Sequence, residues 1–195
     1  NGSFAINSAG TGIETGIALS YETKDTYSVR VNVNDGANDF EKAFTISISD
    51  VNEAPTDITL SSSTIAEDQP SGTTIGTFDP ADVDQDENSG GTNTDNNTYT
   101  YSLVSGTGST DNGSFAINSA GTGIETGIAL DFENKSSYSV RVNVNDGAND
   151  FAKALTISIS NANDAPTALS IDSTAIDENS AAGSTIGQMS STDQD

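Results

Sequence analysis

The sequence predicts an all-β chain of tandem β-sandwich repeats, on three observations. The stretch NGSFAINSAGTGIETGIAL occupies Asn1 to Leu19 and returns letter for letter at Asn112 to Leu130, a period of 111 residues (112 minus 1). Self-similarity at a fixed period marks a repeat architecture. Tyr27, Val29, Val31 and Val33 alternate with Ser28, Arg30, Asn32 and Asn34, the period-two pattern of a half-buried strand. No stretch carries apolar residues at helical spacing over a useful length.

The elements follow in order. YSVRVNVNDGANDF begins at Tyr27 and again at Tyr138, and Phe44, Ile46 and Ile48 continue the alternation after it. Tyr99, Tyr101 and Leu103 form a third run, and Phe115 with Ile117 a fourth. Asp146-Gly147 lies between two alternating runs and can supply the positive φ angles of a tight hairpin. About seven short strands per period of 111 residues make an immunoglobulin-like Greek-key β-sandwich the natural packing.

STIAEDQPSGTTIGTF at Ser63 returns as STAIDENSAAGSTIGQM at Ser173, so Glu67 corresponds to Glu178 and Ile75 to Ile186. With the proline of each junction as boundary, residues 1–54 are the C-terminal part of one repeat. Residues 55–165 are then a complete repeat and residues 166–195 the N-terminal part of the next. Starting mid-pattern at Asn1, with no apolar signal segment or bilayer-length run, the chain reads as an internal piece of something longer.

Six Lys plus Arg against 29 Asp plus Glu give a formal charge of −23, which repels polyanions and makes nucleic acid and anionic membrane unsuitable partners. Cys, His and Trp are all absent, which excludes disulfides, thiol and imidazole catalysis and zinc sites. The acidic residues collect in Ala66-Glu67-Asp68, Asp82-Val83-Asp84, Leu130-Asp131-Phe132-Glu133, and the junctions DVNEAP (Asp50 to Pro55) and NANDAP (Asn161 to Pro166). Two carboxylates about 4 Å apart repel by roughly 1–4 kcal/mol, so clustering needs a counter-cation. Oxygen donors without His or Cys select Ca²⁺ over softer metals.

Two other readings of the carboxylates fit less well. Asp82, Asp84, Asp86 and Asn88 suggest an EF-hand loop, but Glu87 stands at its turn glycine and Asn93 at its bidentate glutamate. Asp82 and Asp84 as a glycosidase pair lack an aromatic sugar platform. Asn112-Gly-Ser and Asn134-Lys-Ser match a glycan acceptor pattern but read better as turns.

In order along one repeat, these segments resemble the motifs of the cadherin repeat family: an early Glu, Asp-x-Asp, Leu-Asp-Arg-Glu, Ala-x-Asp-Gly and a closing Asp-x-Asn-Asp-Asn-Ala-Pro. The resemblance runs over the whole chain and is nearest to the cadherin-like tandem repeats of large bacterial surface adhesins. It implies calcium ions between consecutive domains. At the second junction it assigns Glu67, Asp131 and Glu133, then Asn163 and Asp164, then Asp193 and Asp195. At the first it assigns Glu22, Asp50, Asn52 and Glu53, then Asp82, Asp84 and Asp146, while Asp35 serves the junction before that. Asp146 serves equally as the first residue of an Asp-Gly turn. The chain departs from the family where Ser20 replaces Asp, Asn161 replaces the first linker Asp, and both linkers are one residue shorter than the animal pattern. Without Trp, the strand swap of some animal cadherins does not carry over.

The resulting expectation is a non-enzymatic, calcium-rigidified stalk segment of a bacterial cell-surface or secreted adhesin, extracellular, with neighbouring repeats of the same chain as its partners. The alternatives are a module binding polysaccharide or another copy of itself, or a filament subunit whose half-repeats a neighbouring chain completes.

Overall fold

The computed structural model describes residues 2–85 and 98–195. Asp86, Glu87, Asn88 and Asn93 of the EF-hand reading lie outside the described residues. Two compact units result, one of Asn1–Ile58, Pro80–Thr100 and Val144–Phe151, the other of Thr59–Asp79, Tyr101–Asn143 and Ala152–Asp195.

The described chain contains fourteen strands: β1 (Phe4–Ile6), β2 (Ile13–Thr15), β3 (Thr26–Asn34), β4 (Asp39–Ser47), β5 (Asp57–Leu60), β6 (Thr64–Ala66), β7 (Thr74–Ala81), β8 (Thr100–Leu103), β9 (Phe115–Ile117), β10 (Gly123–Thr126), β11 (Ser137–Asn145), β12 (Asp150–Ser160), β13 (Ala168–Ile171) and β14 (Met189–Thr192). The only helical turns among the described residues are short 3₁₀ turns, at Val83–Gln85 and Asn112–Ser114. The chain is all-β, as the alternation requires.

Two four-stranded sheets, ordered β5-β7-β10-β9 and β6-β12-β11-β8, make the sandwich. Non-consecutive neighbours give it Greek-key character, and β6 runs parallel to β12, with Ser158 opposite Thr64. In β11 the alternation is complete: Tyr138, Val140, Val142 and Val144 are buried, while Ser139, Arg141, Asn143 and Asn145 face outward, half-buried. Phe115 meets Tyr138 edge to face at 5.5 Å, and Phe78 stacks on Tyr101 at 4.6 Å. Such pairs add about 0.5–1.5 kcal/mol beyond the area they bury.

Gly76 and Gly123 allow β7 and β10 to approach closely, because a Cβ on Gly123 would run into the Gly76 carbonyl. At the next hairpin, only the glycine of Asp146-Gly147 takes positive φ (106°). Instead of a two-residue turn with both φ angles positive, Asp146 Oδ1 accepts the amides of Ala148 (2.7 Å) and Asn149 (2.6 Å). The aspartate thus makes an Asx turn and leaves the unusual φ to glycine alone.

The segment before β9 is anchored by side chains. Asp111 accepts Lys135 Nζ at 2.5 Å and the Ser139 amide at 2.7 Å, and Asn112 accepts the Arg141 amide at 2.9 Å while donating to the Val104 carbonyl at 3.0 Å. Asn112 is therefore fully used inside the fold, in keeping with its reading as a turn residue. The Lys135 hydrogen bond, with the Ser139 amide, holds the Asp111 carboxyl below its ordinary range. A depressed carboxyl stabilises the fold above its unfolded pKa and loses that contribution as pH falls through its folded value. Asp111→Ala should cost about 1–3 kcal/mol at pH 7, a cost that shrinks as pH falls through the carboxyl's lowered folded value, measured as the urea midpoint across pH.

Candidate metal centres

In the first unit, the carboxylates of Glu22, Glu53 and Asp84 each bring an oxygen within 4.8 Å of the others. Glu22 sits in the turn before β3, Glu53 in the segment between β4 and β5, and Asp84 in the 3₁₀ turn after β7. The Glu53 amide donates to Asp84 Oδ2 at 2.8 Å and fixes the aspartate against the linker. Asp82 is held by Tyr99 Oη at 3.1 Å and accepts the Asp84 amide at 3.3 Å. Asn52 donates to Asp146 Oδ2 at 2.9 Å, and Asn149 caps the carbonyls of Asn52 and Glu53, both at 3.3 Å. Ser20, where the family has Asp, instead donates its hydroxyl to Glu22 Oε2 at 2.9 Å.

Asp84 is the most perturbed carboxyl. Burial raises its pKa to about 6, the Glu53 amide opposes the rise, and the charges of Glu53 and Asp82 reinforce it. Its Oδ1 is buried without a hydrogen-bond partner. A buried acceptor lacking a donor, beside two further carboxylates, is what a hard divalent cation satisfies. Asp146 behaves oppposite in sign: burial pushes it up, but the Asn149 and Ala148 amides and the Asn52 and Asn149 side chains outweigh burial and leave it lowered.

In the second unit Glu67, Glu133 and Asp164 form a matching group within 4.8 Å. Glu67 is only 1% exposed, and both its oxygens are used: Oε2 accepts the Phe132 amide at 2.6 Å and Oε1 the Ala162 amide at 2.7 Å. Asn161 donates to Glu133 Oε1 at 2.9 Å, so the residue replacing a linker Asp supplies an amide to the cluster. The Asp164 amide donates to Asp195 Oδ2 at 2.6 Å, the counterpart of Glu53 on Asp84. Asp131 Oδ1 caps the Asn134 amide at 2.7 Å, and Gln194 reaches Asp131 Oδ2 at 3.3 Å. Burial first, then neighbouring carboxylates, raise both Glu133 and Asp164.

Nine of the expected residues stand outside these two groups; Asn52, Asp82, Asp131, Asp146 and Asp195 are placed beside them by the hydrogen bonds above, and Asp35, Asp50, Asn163 and Asp193 remain. Asp35 makes the same Asx turn as Asp146, bonding Ala37 and Asn38. Asp50 is half-buried after β4, Asp193 accepts the Gln194 amide at 2.9 Å, and Asn163 turns its amide to the Asp164 carbonyl at 2.6 Å. Asp68, part of the acidic Ala66-Glu67-Asp68 cluster but not among the assigned ligands, is the charged neighbour that raises Asp164 most. It adopts φ 58°, as Asn179 does at 65° one period later. Asp and Asn tolerate that left-handed conformation best among non-glycine residues, and the Asp/Asn recurrence was its one sequence signal.

A Cadherin domain family model matches residues 61–160. Protein dachsous of Drosophila melanogaster is 29% identical over 155 residues, covering 76% of this chain. Protocadherin Fat 1 of Homo sapiens is 27% identical over 203 aligned positions, covering 99%. The chain spans 4% of the length of each. Among solved structures, Protocadherin Gamma B7 extracellular cadherin domains 1-4 superposes with a TM-score of 0.61 at 24% identity, over 98% of this chain and 47% of that one. Human Protocadherin-24 EC1-2 gives 0.57 at 21% identity, over 82% of this chain and 77% of that one.

Two outcomes follow from the geometry. In chelator, where no cation contributes, Glu67→Ala should lower stability by about 2–4 kcal/mol because it orphans two amides, read from chemical denaturation. A carboxyl raised like Asp84 stabilises the metal-free fold below about pH 4 and loses that contribution as pH rises through about 6. Metal-free protein should therefore lose stability between pH 4 and 7, and Asp84→Asn should flatten that slope.

Proposed function

Since the chain belongs to the cadherin domain family, we propose that it is a calcium-rigidified, extracellular repeat segment of a large cell-surface or secreted adhesin, acting as a stalk. The carrying observation is the pair of three-carboxylate groups, Glu22, Glu53 and Asp84 in one and Glu67, Glu133 and Asp164 in the other. In this reading residues 1–54, 55–165 and 166–195 belong to three successive repeats, and each group falls at a boundary. The bacterial setting expected from the sequence belongs to the same proposal.

Glu22, Glu53 and Asp84, supported by Asn52, Asp82 and Asp146, would hold calcium at the first boundary. Glu67, Glu133 and Asp164, supported by Asp131, Asn163 and Asp195, would hold it at the second. Bound calcium supplies positive charge that turns mutual carboxylate repulsion into shared attraction. The protein's own part is to hold the oxygens together beforehand: the Glu53 and Asp164 amides aim Asp84 and Asp195, and Glu67 ties the Phe132 turn to the linker at Ala162. The near-identity of neighbouring repeats supports length as the purpose, since a rod gains reach from repetition. Among the described residues no helix is long and apolar enough to cross a membrane.

Extracellular calcium modules bind in the range of about 0.1–1 mM. Calcium at about 10 mM should then add roughly 1.4–2.7 kcal/mol per site. Calorimetric titration and melting curves read this directly, and small-angle scattering should show a longer particle with calcium than with chelator. Asp84→Ala should remove the first site and Asp164→Ala the second. Unchanged melting and scattering in chelator would overturn the calcium reading.

A further inference from the structure

β6 and β12 run parallel, with Thr64 opposite Ser158, Ile65 opposite Ile159 and Ala66 opposite Ser160. Backbone bonds close both ends of this ladder: the Ser158 amide donates to the Ser63 carbonyl at 2.8 Å and the Glu67 amide to the Ser160 carbonyl at 3.1 Å. Glu67 then continues the ladder with its side chain. Its Oε1 accepts the Ala162 amide at 2.7 Å, beyond the end of β12, while Oε2 accepts the Phe132 amide at 2.6 Å. Ile65, Glu67, Ile157 and Ile159 are all buried, so the ladder is largely withdrawn from water. Hydrogen bonds in such surroundings are stronger, and no solvent molecule stands ready to replace a lost partner.

These two strands are also where tension along the chain meets. From the N-terminal side the repeat leads through β5 into β6, and β12 is its last strand before the linker. β5 lies at a sheet edge beside β7, so a pull from that side reaches β6 once β5 gives way. β6 is then drawn toward its N-terminal end and β12 toward its C-terminal end. In a parallel pair those directions are opposed along one axis, and the evenly spaced bonds are strained together. None can open alone. Had the two strands been antiparallel, both pulled ends would lie at one edge and the bonds would open one after another.

We propose that the parallel β6–β12 ladder, lengthened by the Glu67 carboxyl group, is a tension clamp that resists extension of the repeat by being loaded in shear. The Glu67–Ala162 bond adds a rung on the linker itself, and the Phe132 bond braces that rung against the turn before β11. Resistance to a pull is set by the unfolding rate, which rises when a bond that must break first is removed. The clamp deepens the stalk reading by naming what bears the stalk's tension, yet it needs no cation.

The test is single-molecule unfolding of the 195-residue chain at constant force in chelator. The chain has no cysteine, so introduced pairs give unique handles. Ala54→Cys with Ala165→Cys loads the repeat lengthwise, whereas Ser62→Cys with Thr156→Cys pulls the two strands apart from one end of the ladder. The second geometry should unfold at least about tenfold faster at the same force, since single bonds then open in turn. Under the lengthwise pull Glu67→Ala should unfold about tenfold faster than the parent. Ala162→Pro removes only the donor and keeps every carboxylate, and it should give an increase of the same order. Equal rates in the two geometries, or either variant holding at the parent's rate, would overturn the clamp. Because the buffer contains chelator, a failed calcium titration bears on the preceding reading alone, and a failed clamp leaves that reading standing.

Discussion

The buried side chain of Glu67 is the constraint on which the second carboxylate group depends. Its two oxygens accept amides from Phe132 and Ala162, so one side chain joins β6, the turn before β11 and the linker after β12. A carboxyl group this deeply buried is tolerable because both of its oxygens have donors. Once it is fixed, Glu133 and Asp164 have little freedom to move apart, and their own charges are left raised in free energy. Order in the strands is thus converted into strain between carboxylates, and strain between carboxylates is relieved by a cation.

The first carboxylate group, Glu22, Glu53 and Asp84, reaches a similar donor set by different local chemistry. Ser20 gives Glu22 a hydroxyl where the family has a carboxylate, which neutralises one position and anchors the turn through the Thr23 amide at 3.1 Å. The strained member here is Asp84, with a buried oxygen lacking a donor, and Asp146 is the settled one, with four donors around it. One period later Asp131 stands in place of Ser20 and caps the Asn134 amide in the same way. The turn survives either residue because a hydroxyl and a carboxylate both accept an amide hydrogen, so what varies between the two turns is charge and not backbone.

Much of this was legible in the sequence because it depends on short periods. The β11 alternation is written in Tyr138 to Asn145, and burying one face of a sheet leaves little choice of register. The carboxylate groups were legible through motif order. Less legible were features set by backbone geometry or distant pairing. Asp146-Gly147 divides its turn between an Asx bond and one positive φ, and a dipeptide does not reveal that division. Asp68 enters the electrostatics of Asp164 from a left-handed backbone position that the local pattern does not announce. The parallel pairing of β6 with β12 joins residues more than ninety apart in sequence, beyond any local pattern.

Identical segments also separate what sequence fixes locally from what neighbours supply. Asn7 Oδ1 accepts the amides of Thr11 and Gly12 at 3.0 and 3.2 Å, and Asn118 accepts Thr122 and Gly123 at the same distances. Phe4 meets Tyr27 edge to face at 5.2 Å as Phe115 meets Tyr138 at 5.5 Å. Turn bonds and aromatic geometry therefore persist while burial differs widely, as between Ile13 and Ile124. Local hydrogen bonds choose the conformation, and packing against further strands contributes most of the hydrophobic stabilisation, about 25 cal/mol per Å² of apolar surface covered. In a repeat protein those two contributions are separable, since each unit carries its own turns and borrows only its covering strands. The turns and connecting segments are then where the sequence has most freedom to vary, and the six carboxylates of the two groups, Glu22, Glu53 and Asp84 and Glu67, Glu133 and Asp164, all lie outside the strands.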